Sequence, residues 1–238
     1  MKDITINPNY KLQKFQIPGT SSYLIIIDEF LLDTQPIINF ANNTAYFNPM
    51  FADKTLFPGM RDKMPMPYTR LLKNFFEESI LPKVKGDAEY QSHFHGSLLS
   101  LVNCDPVDLS ANQKMPHVDS CNSSDFAFVH YFSAKELGGT SFYRYKPQKI
   151  IQFTQDEKDI LVEMLNDVIS TPEEHSTYIT GNTSVFDEVF SVEAKVNRLV
   201  IYPANVLHSA NLISPRSYCG DIKEGRLSIS SFASISKV

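Results

Sequence analysis

The chain has 238 residues, of which 42% are hydrophobic and 21% charged, as expected for a globular protein with one sizeable core. A net charge of −5, with no basic segment, argues against a nucleic-acid partner. The most apolar early run, residues 23–27, meets Asp28 and Glu29 too soon to span a bilayer, and the three cysteines have no CxxC spacing. We therefore expect a soluble, cytoplasmic protein with no membrane partner and no disulfide framework.

The first part of the chain, residues 1–89, reads as a support region of strand and helix. Residues 23–31 (YLIIIDEFL) predict a buried strand, and a short helix follows with Pro36 in its first turn. After a loop rich in Pro, Gly and Met at residues 56–68, hydrophobic residues recur at helical spacing. This pattern predicts a helix that packs on a sheet and ends at Pro82.

The remainder, residues 90–238, has the pattern of a β domain. Aromatic residues alternate at period two in DFAFVHYF and TSFYRY, and further short strand-like runs follow. One helix interrupts them, introduced by a capping box of Thr154 and Glu157. The sequence therefore predicts a mainly β protein with flanking helices, a double-stranded β-helix (jelly-roll), folded as a single domain over residues 1–238.

A candidate metal site begins with the motif PHVDS. In a strand, residues two apart project to the same face, so His117 and Asp119 can reach one point. An imidazole and a carboxylate suit Fe(II), and a second histidine would leave positions open for a co-substrate and O₂. His208 follows the hydrophobic strand RLVIYP and supplies that histidine. An isolated HxD is common by chance, and most histidines beside strands are simply hydrogen-bonded polar residues.

The order of the motifs favours the metal interpretation. His-x-Asp is followed by about ninety residues with several strands, then by His208, and eighteen residues later by Arg226. Ser228 shares a strand face with Arg226. A guanidinium deep in a barrel needs an anionic partner, and a carboxylate matches its planar fork. The alternative is a structural ion pair with one of the chain's own acidic side chains.

Three stretches resemble the prolyl-hydroxylase-like 2-oxoglutarate-dependent oxygenases. HVDSCNSSDFAFVHYFSAKELGGTSFYRY resembles the core of that superfamily, where an HxD strand, a tyrosine-bearing strand and a Gly-Gly turn follow one another. NRLVIYPANVLHSANL resembles its segment with the distal histidine, and GRLSISSF its final strand with a basic residue. The resemblance covers residues 110–145 and 192–234, about half of the chain. FPGMR and MPMPY resemble a functionally uncharacterised bacterial branch.

This resemblance implies a reaction and its cofactors. His117, Asp119 and His208 would bind Fe(II), and Arg226 would bind the distal carboxylate of 2-oxoglutarate. Residues of this kind serve dioxygenases that consume O₂, release succinate and CO₂, and hydroxylate a small molecule, an amino acid or a residue of a peptide.

The resemblance also assigns secondary roles and shows two departures. Ser228 and Tyr131 would assist Arg226 at the carboxylate of 2-oxoglutarate. The loop SPRSYCGDIKEG between the distal histidine and the arginine is longer than in typical prolyl hydroxylases. Residues from about 150 to 184 look like an insertion.

Other polar residues have less distinct signals. His93 and His95 share one face of a predicted strand, where they either line a substrate cavity or face solvent at a sheet edge. Arg61, in the Met-rich loop, either reaches over the barrel mouth to an anionic substrate group or is a surface arginine. We expect His130 to be structural and His175 to lie in a surface loop.

Two other functions fit parts of the pattern. A cupin-like metal dioxygenase would use the same ligands without 2-oxoglutarate, although Arg226 and Ser228 argue against it. A non-catalytic jelly-roll that binds a metal or a sugar is the second alternative. The substrate and the oligomeric state are left open by the sequence.

Overall fold

The computed structural model describes residues 4–86 and 89–238, which form ten strands in two antiparallel sheets. The larger sheet contains, in spatial order, β1 (Lys11–Gln16), β2 (Tyr23–Asp28), β8 (Arg198–Pro203), β5 (Asp125–Tyr131), β10 (Leu227–Lys237), β4 (Tyr90–Val102) and β3 (Gly59–Lys63). The smaller sheet contains β7 (Phe186–Val192), β6 (Gly139–Tyr145) and β9 (His208–Asn211). The predicted mainly β class with flanking helices is confirmed.

Helices flank both sheets. They are α1 (Gln35–Asn43), α2 (Met66–Phe75), a π-helical turn (Phe76–Ile80), α3 (Leu81–Lys85) and α4 (Ile160–Ser170). Pro36 lies in the first turn of α1, as predicted. The prediction that a helix ends at Pro82 was wrong, because Pro82 lies in the first turn of α3, directly after the π-helical turn. The end comes instead at Gly86, whose φ of 75° is favourable for glycine. None of the helices in this described part of the chain is long and apolar enough to cross a membrane.

The alternation of side chains along the strands divides the core into layers. One face of the larger sheet packs against α1 and α2 through buried residues that include Leu99, Phe128, Ile201, Ile229, Tyr68, Leu72 and Phe76. Its other face packs against the smaller sheet through residues that include Ala127, Tyr131, Val200, Tyr202, Phe142 and Val192. The outer face of the smaller sheet is covered by α4 through Tyr143, Tyr145, Phe186, Met164 and Val168. Burying each large apolar side chain contributes about 1.5–3 kcal/mol. Apolar packing therefore stabilises each sheet on both of its faces.

The N-terminal support region and the predicted insertion contribute differently to the sheets. Strands β1, β2 and β3 come from residues 1–89 and form three of the seven strands of the larger sheet. Residues 150–184 contribute α4 and its connecting loops. The N-terminal region is therefore an integral part of the larger sheet and brings β3 beside β4.

A buried polar network centres on His130, on the face of β5 opposite to Tyr131. Its Nδ1 lies 3.1 Å from the hydroxyl of Tyr68, and its Nε2 lies 3.2 Å from Oδ1 of Asn197, which also accepts from the N–H of Leu31 at 2.9 Å. Because Oδ1 can only accept, His130 carries its proton on Nε2 and accepts the Tyr68 hydroxyl at Nδ1. The network joins α2, β5 and the β7–β8 connection, which supports the structural role predicted for His130.

This network makes a prediction for acid stability. Burial lowers the pKa of His130 to about 3 from the ordinary value of 6.5, so the folded protein keeps this imidazole neutral where the unfolded chain takes up a proton. Its contribution is fully present above pH 6.5 and is lost as the pH falls from 6.5 towards 3, at up to about 1.4 kcal/mol per pH unit. Urea unfolding across this range should show a shallower pH dependence for His130→Gln than for the wild type. Equal slopes would contradict the assignment.

Candidate metal centre and its cavity

The HxD motif lies in an extended segment that pairs with the beginning of β9. The N–H of His117 donates to the carbonyl of His208 at 2.8 Å, and the N–H of His208 donates back at 2.9 Å. Two residues further on, the N–H of Asp119 donates to the carbonyl of Ala204 at 2.9 Å. These bonds extend the smaller sheet by one short segment and set the two histidines directly opposite each other.

The side chains of this pair and of Asp119 form one cluster. Nε2 of His117 lies 3.7 Å from Oδ1 of Asp119, and Nε2 of His208 lies 3.5 Å from Oδ2 of the same carboxylate. The two imidazole centroids are 4.5 Å apart, and a ligand atom from each of the three residues lies within 4.8 Å of the others. One ion among them would meet two imidazoles and one carboxylate, a donor set suited to non-haem Fe(II).

Hydrogen bonding fixes the orientation of the His208 ring. Its Nδ1 lies 2.9 Å from the carbonyl of Val206, which can only accept, so Nδ1 carries a proton and Nε2 faces Asp119. The edge of the Tyr202 ring packs against it at a centroid distance of 4.8 Å. His117 is more open, but the surrounding protein and the neighbouring His208 lower its pKa below the ordinary value. His117 is therefore neutral at pH 7, the form in which an imidazole binds a metal.

Arg226, immediately before β10, is a buried cation with no anionic partner among the described residues. It is 3% exposed, and its single hydrogen bond in the described chain runs from Nη2 to the carbonyl of Gly139 at 3.2 Å. Its Nε has no partner, and no described carboxylate lies within 4.0 Å of the guanidinium. The internal ion pair considered as the alternative is thus not formed among residues 4–86 and 89–238. An unpaired buried charge is costly, so this arrangement is chemically suited to an anion.

The residues expected to assist Arg226 lie in adjacent strands. Ser228 and Tyr131 are directly opposite each other in β10 and β5, and both are buried. The Ser228 hydroxyl has no hydrogen-bond partner in the described chain, whereas the Tyr131 hydroxyl lies 2.6 Å from Oγ1 of Thr140. The guanidinium carbon of Arg226 lies 5.5 Å from the centroid of the Tyr131 ring.

One cavity connects the candidate metal cluster (His117, Asp119 and His208) with the buried arginine. Its lining residues include His117, Asp119, His208, Arg226, Arg61, Phe57, Thr140, Tyr202, Ser230 and Phe232. Five residues predicted from the sequence (His117, Asp119, His208, Arg226 and Arg61) thus meet in one place, although they come from four separate segments. Thr140 and Tyr202 were not identified in the sequence, where Thr140 follows the Gly-Gly turn and Tyr202 ends a hydrophobic run.

Gly138 and Gly139 allow the close strand approach that shapes this cavity. Gly138 has a φ of 88°, and a Cβ there would lie 1.6 Å from the carbonyl oxygen of Asn211. A Cβ at Gly139 would lie 1.8 Å from the carbonyl oxygen of Val192. The Gly-Gly turn therefore brings β6 against β9 and β7, and it directs the Gly139 carbonyl to Arg226.

Other predicted residues lie elsewhere or in a different setting. His93 and His95 are exposed on β4 and do not line the cavity; Nε2 of His95 lies 2.7 Å from Oγ of Ser234. The surface position predicted for His175 was wrong, because its ring packs edge-on against Phe186 and is only 4% exposed.

The loop position predicted for Arg61 was also wrong. Arg61 lies in strand β3, which pairs with β4 in antiparallel register. The Pro-Gly and Met-rich sequence around it indicated a loop, but edge pairing with the long strand β4 imposes the extended conformation. The side chain still lines the cavity of the metal cluster.

Comparisons with known proteins place this architecture in context. No curated protein matches the sequence. Among solved structures, the chain is similar to HygX from Streptomyces hygroscopicus, solved with nickel and 2-oxoglutarate bound, at 10% identity and a TM-score of 0.48 over 89% of this chain and 82% of HygX. It is also similar to an N-substituted L-amino acid dioxygenase from Burkholderia ambifaria AMMD, at 8% identity and a TM-score of 0.39 over 98% of this chain and 95% of that one. A family model matches residues 8–233, and the chain belongs to that family, a family of unknown function (DUF6445).

Proposed function

We propose that this protein is a non-haem Fe(II)- and 2-oxoglutarate-dependent dioxygenase of the hydroxylase type, acting on a small molecule, an amino acid or a peptide residue. The observation that carries the proposal is the shared cavity: a His-Asp-His cluster lines it together with a buried arginine that has no described anionic partner.

The donor set fits the metal. His117, Asp119 and His208 would hold Fe(II) from one side, which leaves coordination positions open towards the cavity. Iron bound there supplies the activation of O₂, while the protein supplies position and shelter from water. The hydrogen bond from His208 to Val206 keeps one ligand in a fixed orientation for this task.

The second half of the cavity fits a co-substrate with two acidic ends. The unpaired Nε of Arg226 and the unpaired hydroxyl of Ser228 are donors that a carboxylate would satisfy. A 2-oxo dicarboxylic acid has one end suited to a metal and one carboxylate suited to a guanidinium. Arg226 would therefore orient 2-oxoglutarate before reaction, with Ser228 and Tyr131 as assisting groups.

The strand order supports the proposal that the fold is a double-stranded β-helix formed by a single domain over residues 1–238. Along the chain, β4 lies in the larger sheet, the HxD segment in the smaller, β5 in the larger, β6 and β7 in the smaller, β8 in the larger, β9 in the smaller and β10 in the larger. Strands that change sheets in this way wind two sheets around one interior, as a jelly-roll does. The metal cluster and Arg226 then face that interior.

The two other functions account for less of the site. A metal- or sugar-binding module without catalysis would need no open metal face beside a buried unpaired cation. A cupin-like dioxygenase without 2-oxoglutarate would leave Arg226 and Ser228 without a ligand. Consumption of 2-oxoglutarate separates the proposal from both.

The direct test measures succinate. Purified protein with Fe(II) and 2-oxoglutarate should form succinate only when O₂ is present, even at the slow rate expected without the substrate. Asp119→Ala should lose most of this activity because it removes the single carboxylate of the cluster. Asp156→Ala, which removes an exposed carboxylate before α4, is the matched control and should retain it. An absence of O₂-dependent succinate from the wild type would refute the proposed function.

A further inference from the structure

Arg61 provides a second guanidinium in the cavity. In the strand register, Arg61 of β3 lies opposite Ser100 of β4, and Ser100 lies opposite Ser228 of β10. Residues that are directly opposite in neighbouring strands project to the same face, so these three form one row across the inner face of the larger sheet. Arg61 is thus about 10 Å, or two strand spacings, from Ser228. It lines the same cavity as the metal cluster.

The guanidinium of Arg61 is held in place on several sides. Its carbon lies 3.9 Å above the centroid of the Phe57 ring, and Nε donates to the Ser100 hydroxyl at 3.1 Å. Nη1 donates to Asp53 and to Thr55, each at 3.1 Å. No hydrogen bond within residues 4–86 and 89–238 uses Nη2. A guanidinium that is stacked, oriented and has an unused N–H donor can bind a planar anion.

The existing ion pair is one that a ligand can replace. Asp53 contacts Arg61 through one carboxylate oxygen, and its side chain is 27% exposed, against 11% for Arg61. Because the Asp53 carboxylate is partly exposed, solvent screens its attraction to Arg61. An incoming carboxylate could therefore take its position on Arg61 with little loss, whereas Arg226, at the other side of the cavity, is assigned to the co-substrate.

We propose that Arg61 binds a carboxylate of the substrate, and that the substrate is accordingly a small organic acid. Its carboxylate would bind Arg61, and its apolar part would contact Phe57 and Phe232 in the cavity wall. Asp53 occupies the guanidinium when the substrate is absent. This inference rests on the proposed function, because it takes Arg226 to be occupied by 2-oxoglutarate.

The test uses calorimetric titration of the full chain loaded with Zn(II) and 2-oxoglutarate. The probes are benzoate and propionate, with benzamide and propionamide as neutral counterparts of the same shape. At least one acid should bind saturably, and neither amide should. Arg61→Gln should weaken binding of that acid by roughly ten- to a hundred-fold, because it removes a hydrogen bond between charged groups. Lys63→Gln, which removes a positive charge from the exposed end of the same strand, should leave it unchanged.

The variant Asp53→Asn distinguishes two roles of Arg61: binding the acid, or only holding the loop that contains Asp53. If Arg61 binds the acid, removing its competing carboxylate should strengthen binding of the probe. If Arg61 only holds the loop, then Arg61→Gln and Asp53→Asn break the same contact and should change binding in the same direction. Binding of neither acid, equal binding of acid and amide, equal binding by Arg61→Gln and the wild type, or weaker binding by Asp53→Asn would overturn the inference.

The affinity for 2-oxoglutarate, measured first on each variant, keeps the two proposals apart. It should be unchanged by Arg61→Gln and Asp53→Asn. A wild type that binds 2-oxoglutarate but no acid probe contradicts the inference alone, whereas failure to bind 2-oxoglutarate contradicts the proposed function.

Discussion

Replacing His208 with alanine is expected to abolish the visible charge-transfer band that anaerobic addition of Fe(II) and 2-oxoglutarate should give in the wild type. His208 is the buried member of the proposed ligand set, and its ring is oriented by the Val206 carbonyl, so alanine would remove a prearranged imidazole. His117→Ala should have the same effect, because it also removes one of the three proposed protein ligands. The measurement is the absorbance difference between protein with and without the two additions.

A matched control separates loss of a ligand from loss of any histidine. His95→Ala removes an exposed imidazole that contacts Ser234 and does not line the cavity, and it should retain the band. Urea unfolding of each variant checks that the fold persists, because His208→Ala also leaves the Val206 carbonyl without its donor. Retention of the band by both His117→Ala and His208→Ala would show that the ligand assignment is wrong.

The candidate metal cluster shows how far strand periodicity can predict which side chains meet. The two-residue spacing of His117 and Asp119 was sufficient to put both on one face, because an extended chain leaves no other arrangement. The pairing of His117 with His208 had a different basis, since periodicity says nothing about which strands are neighbours. The order of motifs and their resemblance to a known superfamily supplied that part of the prediction. In the structure, the two residues pair through backbone hydrogen bonds of 2.8 and 2.9 Å.

The wrong predictions concern residues whose tertiary contacts override the local sequence pattern. Arg61 is in a strand because β4 extends far enough to pair with its segment, which no local pattern could reveal. Pro82 did not end its helix because a π-helical turn precedes it and places it where a missing N–H is tolerated. His175 is buried because Phe186, from a strand eleven positions further along the chain, packs against it.

Replacing Arg226 with glutamine is expected to weaken 2-oxoglutarate binding by about ten- to a hundred-fold while changing Fe(II) affinity little. The substitution keeps most of the volume but removes a hydrogen bond between charged groups, which is worth about 1.5–3 kcal/mol. Fluorescence or calorimetric titration of the metal-loaded protein measures the change. Arg216→Gln, which removes an exposed arginine paired with Glu224, is the matched control and should bind 2-oxoglutarate normally. Equal affinities for Arg226→Gln and the wild type would remove Arg226 from the site.

The stability of the same variant without ligands provides an independent criterion. If Arg226 had a structural role, Arg226→Gln would lower the free energy of unfolding, because breaking a buried ion pair typically costs about 3–5 kcal/mol. Within the described chain, however, Arg226 has one hydrogen bond and an unpaired Nε, and its burial lowers its pKa. The folded protein therefore bears an uncompensated desolvation cost, and Arg226→Gln should be as stable as the wild type or more stable.

Adding 2-oxoglutarate and metal should then stabilise the wild type more than the variant, since only the wild type offers the carboxylate its guanidinium. A less stable variant with unchanged 2-oxoglutarate binding would identify Arg226 as a structural residue.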